Sequence, residues 1–85
     1  MKDEDIVWIT FYDINWDIVM ALPISKFSPS FENIINSGMY PRMTKAKADE
    51  MNARLLDNPS DAKRLDQMMT ARWESIARQR REANA

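Results

Sequence analysis

An all-α fold, a small bundle of about four helices, is what the sequence predicts, and three observations predict it. Glycine is almost absent: Gly38 is the only one in 85 residues, whereas all-β domains draw on glycine at turn after turn. Helix start signals recur at Ser28-Pro29, Thr44 and Asn58-Pro59, each a capping side chain, two of them followed by a proline whose missing N–H costs nothing in the first turn. Apolar residues repeat at spacings of three and four through the second half of the chain. The alternative is an α+β fold with an N-terminal strand over residues 5–12, because Ile6, Val7, Trp8, Ile9, Phe11 and Tyr12 are strand formers.

Taken in order, residues 3–12 read as a short buried helix. Asp3, Glu4 and Asp5 suit the positive end of a helix dipole, and a lone strand with no convincing partner is not stable. Asp13 reads as the cap of a second helix, its carboxylate accepting from the backbone N–H of Asn15 or Trp16. Ile14, Ile18 and Leu22 fall four apart with Val19 beside them, one helical face, and Pro23 ends it. A third, short helix over residues 29–37 carries Phe31, Ile34 and Ile35, with Gly38 as its left-handed terminator. Residues 39–43 form a linker, with Met43 a staple against Ala48. Thr44 then caps a helix with Ala48, Met51 and Leu55 on its apolar stripe and Leu56 flanking. Asn58 or Ser60 caps the last, over residues 61–82, about 33 Å long. The chain is expected to be a single small helical domain, residues 1–85, with about 79–85 solvated and frayed.

Composition removes whole classes of chemistry. With no Cys and no His there are no disulfides, thiolate zinc sites or histidine acid–base steps. One glycine is too few for a phosphate-cradling loop or a dinucleotide fingerprint. No enzyme, cofactor or metal is expected. The acidic start does not match a signal peptide. Ile6–Leu22 is apolar at 13 of 17 positions, but Asp13, Asn15 and Asp17 interrupt it at about 2.5–3.5 kcal/mol for each charge in a bilayer centre, so no membrane partner is expected. Absent cysteine favours a cytoplasmic location, the host cell cytoplasm if the protein is viral. Net charge is −1, with two Lys against six acids in residues 1–40 and ten Lys/Arg against seven acids in residues 41–85. That polarity steers docking or assembly rather than general attraction to nucleic acid.

Four clusters of side chains carry functional alternatives. Asp13 and Asp17, four apart, present paired carboxylates if both lie on one helix, but a cap plus a first-turn acid explains them without chemistry. Asp3-Glu4-Asp5 lacks the spaced ligands of a calcium loop. Arg72, Arg78, Arg80 and Arg81, with Lys63 and Arg64 before them, make a basic helix able to contact phosphates, interrupted by Glu74 and Glu82. The last helix is longer than so small a core needs. Its face of Leu65, Met68, Met69 and Trp73, with Ile76, Arg72 and Arg80, is the expected surface for a protein partner or a second copy.

The stretch from Trp8 to Pro23 resembles the helical hairpin of small tail-assembly chaperones and minor tail proteins of tailed phages. The residues that match are Trp8, Phe11, Tyr12, Trp16, Asp17, Ile18, Leu22 and Pro23, with Asn15 standing where that pattern has a glycine. The resemblance covers the first third of the chain and implies a non-enzymatic protein that holds tail components during assembly. The expected function is therefore protein binding by a phage-type assembly chaperone or accessory protein. The alternatives are a small inhibitor that blocks a surface of a larger enzyme complex, and a nucleic-acid-binding protein that uses the Arg-rich helix.

Overall fold

The apolar run at the front of the chain is a β-hairpin. In the computed structural model, which describes residues 5–84, the order is β1 (Ile6–Asp13), β2 (Ile18–Ser25), α1 (Phe31–Asn36), β3 (Arg42–Met43), α2 (Lys45–Ala53), a 3-10 turn (Arg54–Asp57) and α3 (Pro59–Ala83). The three strands form an antiparallel sheet in the order β2-β1-β3. The fold is α+β, which overturns the all-α bundle of four helices and, with it, the helices expected at residues 3–12 and 14–22. The alternative strand at residues 5–12 lies close to the observed β1.

The physical reason lies in β2. Six consecutive residues, Met20 to Ser25, are buried, so the strand is covered on both faces and shows no alternation of apolar and polar residues. Its Ile18, Val19 and Leu22 fall by chance at helical spacing. Pro23 sits opposite Trp8, on the outer edge of the sheet, where a missing N–H takes no bond from the ladder. Asp13 does accept from the N–H of Asn15, at 3.1 Å, but as an Asx turn that closes a hairpin and not as a helix cap. Asp17, with φ of 54°, supplies the left-handed residue such a loop needs.

The open edge of β2 is closed by side chains. Ala21 and Thr10 face each other across the hairpin; the N–H of Thr10 points to the carbonyl of Pro41 at 2.8 Å, and the polar groups of Ala21 point the other way. The buried Asn52 of α2 meets them with both ends of its amide, accepting from the Ala21 N–H at 2.8 Å and donating to its carbonyl at 2.9 Å. Two residues on, Nε of Arg72 donates to the carbonyl of Pro23 at 3.1 Å. Asn52 and Arg72 thus stand where a fourth strand would stand, and they blunt an edge that would otherwise pair with another chain.

The core has two parts. Trp8 and Ala21 from one sheet face gather Ala48, Met51, Met43 and Trp73. Met20 and Leu22 from the other gather Phe11, Leu55, Leu65 and Met68, and Met69 packs against both groups. Of the later helix signals, Ser28-Pro29 does not start its helix, since α1 begins at Phe31 with Ser30 in the cap position and no side-chain cap bond, whereas those at Thr44 and Asn58 correspond to what forms. Thr44 Oγ1 accepts from the N–H of Lys47, Asn58 caps α3 through Ser60 and Asp61, and Gly38 is left-handed at φ of 74°. The linker at 39–43 contains the two-residue β3. Among the described residues no helix is long and apolar enough to cross a membrane.

Candidate functional site

The shortness of β3 leaves a concavity beside β1. It covers β1 only at Trp8 and Ile9, and the chain then turns at Thr44 into α2. Beside Ile6 and Val7 this leaves a groove of about 610 Å³, within the range of ligand-sized sites. Its floor is Ile6, Trp8, Met43 and Trp73; its rim carries Arg42, Thr44 and Lys45. The two indoles meet edge to face, 6.0 Å between centroids at 71°, an arrangement favoured by ring quadrupoles. Lys45 Nζ stands 5.2 Å from the centre of the Trp8 ring and pairs with Asp49 at 2.6 Å. Among the described residues no acid lines the groove. It is an apolar slot whose nearest cation, Lys45, is already paired with Asp49.

The hairpin tip is the second feature. Asp13, 3% exposed, accepts from Arg64 Nε at 2.6 Å, and that guanidinium stands 5.6 Å from the Trp16 ring centre. The bond from Arg64 holds the Asp13 carboxyl below its ordinary range, outweighing burial, which acts the other way. Tyr12 donates to Asp17 at 2.6 Å, and that bond to a carboxylate pushes the phenol upward. Both carboxylates weighed as a reactive pair are thus occupied in fixing the tip. A second concavity, about 410 Å³, lies where Asn52 and Leu56 approach Leu65 and Met69, with Asp49 and Asp66 at its margin.

The face of α3 expected to bind a partner is placed as follows. Leu65 and Ile76 are buried, and Met68 and Met69 are half-buried against the sheet's core. Arg72 is half-buried on Pro23, where burial lowers its guanidinium from the usual value. Arg80 is half-buried too, and Arg78 donates to Ser75. Trp73 alone of that set lines the groove. Sequence reasoning missed Ile6, Trp8, Arg42, Met43 and Lys45, because only the register of β1 with β3 brings them together. Among the described residues no three acids cluster as a cation site would require; Asp3 and Glu4 lie outside them.

Compared with family models, curated proteins and solved structures, the chain matches none.

Proposed function

We infer that the protein is a non-enzymatic protein-binding module that seats apolar side chains of a partner against Trp8 and Trp73. The observation that carries this reading is the make-up of the groove: an apolar floor of two tryptophans, isoleucine and methionine, with Lys45 standing over the Trp8 ring. Buried aromatic anchors ringed by polar groups are where binding energy concentrates in protein interfaces. Most of the α3 face drops out of this reading because its apolar residues are engaged with the chain's own sheet. A cytoplasmic setting belongs to the same reading and is supported by a chain without cysteine. The assembly-chaperone role is its most specific form. It rests on the groove, since the residues behind the phage tail-protein resemblance lie in a β-hairpin and not in two helices.

The experiment is affinity capture from cells that express the protein naturally. The wild type is compared with an Arg42→Glu/Lys45→Glu variant and with Lys63→Glu, an exposed change on α3. The proteins retained by the wild type and by Lys63→Glu are expected to be lost from the double variant. Equal retention by all three would overturn the reading.

A further inference from the structure

The groove lies against an uncovered stretch of strand edge. The Asp5 carbonyl accepts from the N–H of Lys26 at 2.9 Å, and the N–H of Thr10 donates to the carbonyl of Pro41 at 2.8 Å. Odd-numbered residues of β1 therefore turn their backbone groups toward β2, and even-numbered ones toward β3. β3 meets only Trp8 and Ile9. After Thr44, still extended at φ −73° and ψ 161°, the chain leaves the sheet as α2. Ile6 is the next even residue along the edge. Among the described residues nothing bonds to its N–H or carbonyl on that side, and the space beside it is the groove, lined there by Ile6, Val7, Thr44 and Lys45. The opposite edge of the sheet differs, since Asn52 and Arg72 plug β2 at Ala21 and Pro23.

Register fixes what a strand laid beside Ile6 would do. Residues directly opposite in an antiparallel pair share a face, and Trp8 shares its face with Met43. Two positions further along, a residue opposite Ile6 falls on that same face. Its side chain meets the floor of Ile6, Trp8 and Trp73, while its N–H and carbonyl exchange two bonds with Ile6. Its two neighbours turn to the other face. Charge does not name the occupant, because Lys45 is paired with Asp49 and Arg42 stands opposite Ile9, on the face away from Trp8. The unpaired backbone does.

We propose that the groove takes an extended peptide segment, which adds antiparallel to β1 at Ile6, in line with β3, and seats one large apolar side chain against Trp8 and Trp73. This rests on the groove being the binding site and names the conformation of its partner. Strand addition draws affinity from main-chain bonds and specificity from the pocket that receives alternate side chains.

Magnetic resonance titration of the isotope-labelled full chain tests it. The probes are short capped peptides of alternating threonine and valine, good strand formers, with phenylalanine, leucine or tryptophan at the centre. Each has two twins, one N-methylated at the central residue and one at its neighbour, whose N–H points away from β1. At least one parent peptide is expected to bind saturably, to slow exchange of the Ile6 N–H and to shift the indole N–H signals of Trp8 and Trp73. Its centrally methylated twin is expected to bind at least about tenfold more weakly, as the loss of a main-chain bond implies, and the other twin to bind as the parent does. The protein is unchanged throughout, so folding does not enter. Absence of binding by every parent peptide would overturn the proposal, as would central methylation that makes no difference. If no peptide binds yet capture of a cellular protein still depends on Arg42 and Lys45, the groove keeps its role and only the extended partner is lost. Capture insensitive to those two residues removes the groove itself.

Discussion

Asn52 shows most clearly how one side chain decides a structure. Its amide offers one donor and one acceptor in the geometry of a neighbouring strand, and it is buried against the backbone of Ala21. Asn52→Ala leaves both groups of Ala21 buried without partners. Unfolding in urea should show a loss of about 2–4 kcal/mol, since an orphaned buried polar group costs about 1–3 kcal/mol; a loss within error of zero would mean water replaces the amide. Asp13 works by charge. Its carboxyl is lowered by Arg64, so its contribution is present above the ordinary value of 3.8 and is lost as pH falls through the depressed one. The stability gap between wild type and Asp13→Asn should accordingly be full at neutral pH and close on acidification. Tyr12 has the opposite sign: raised above 10.0, it contributes below that pH and ceases to contribute as the phenol ionises. Neither Asn52 nor the Asp13–Arg64 pair was legible in the sequence. Their partners lie 31 and 51 positions away, and only the fold makes them neighbours.

At the scale of elements, legibility followed the locality of the signal. Thr44, Asn58-Pro59 and Gly38 act within three residues of themselves, and their caps and turns form as the sequence predicts. The hairpin depends on pairing at longer range and its sequence predicts helix, because β2 is buried on both faces and Ile14, Ile18 and Leu22 imitate a helical stripe. Hydrogen exchange separates the two states directly. In the sheet, the N–H groups of Phe11 and Met20 lie inside the ladder, whereas those of Tyr12 and Val19 point outward at the tip. Phe11 and Met20 should exchange slowly and Tyr12 and Val19 fast. Unbroken protection from residue 14 to residue 22 would instead be the mark of a helix. Gly38 allows a simpler check. A Cβ there meets nothing within 4 Å, but φ is +74°, so Gly38→Ala should cost about 1 kcal/mol from backbone strain alone.

The whole molecule is organised as a rod, 40 Å in its longest extent and about 25 Å across. The hairpin carries an exposed apolar tip at one end and borders the Trp8–Trp73 groove at the other. Of the binding face expected on α3, Trp73 lines the groove. Of the arginines on α3 that read as a phosphate-binding helix, Arg72 is drawn into the fold on Pro23, while Arg78 stays exposed and donates to Ser75 of its own helix. The groove is thus the surface on which the proposed binding depends, and photocrosslinking from its rim tests that dependence. The chain has no cysteine, so a benzophenone can be attached at Lys45→Cys on the rim or at Lys63→Cys on α3, and irradiated in extracts of the native host. Protein adducts, whether to another protein or to a second copy, are expected from position 45 and not from position 63. Equal yields from both positions, or none from position 45, would remove the groove as the binding surface.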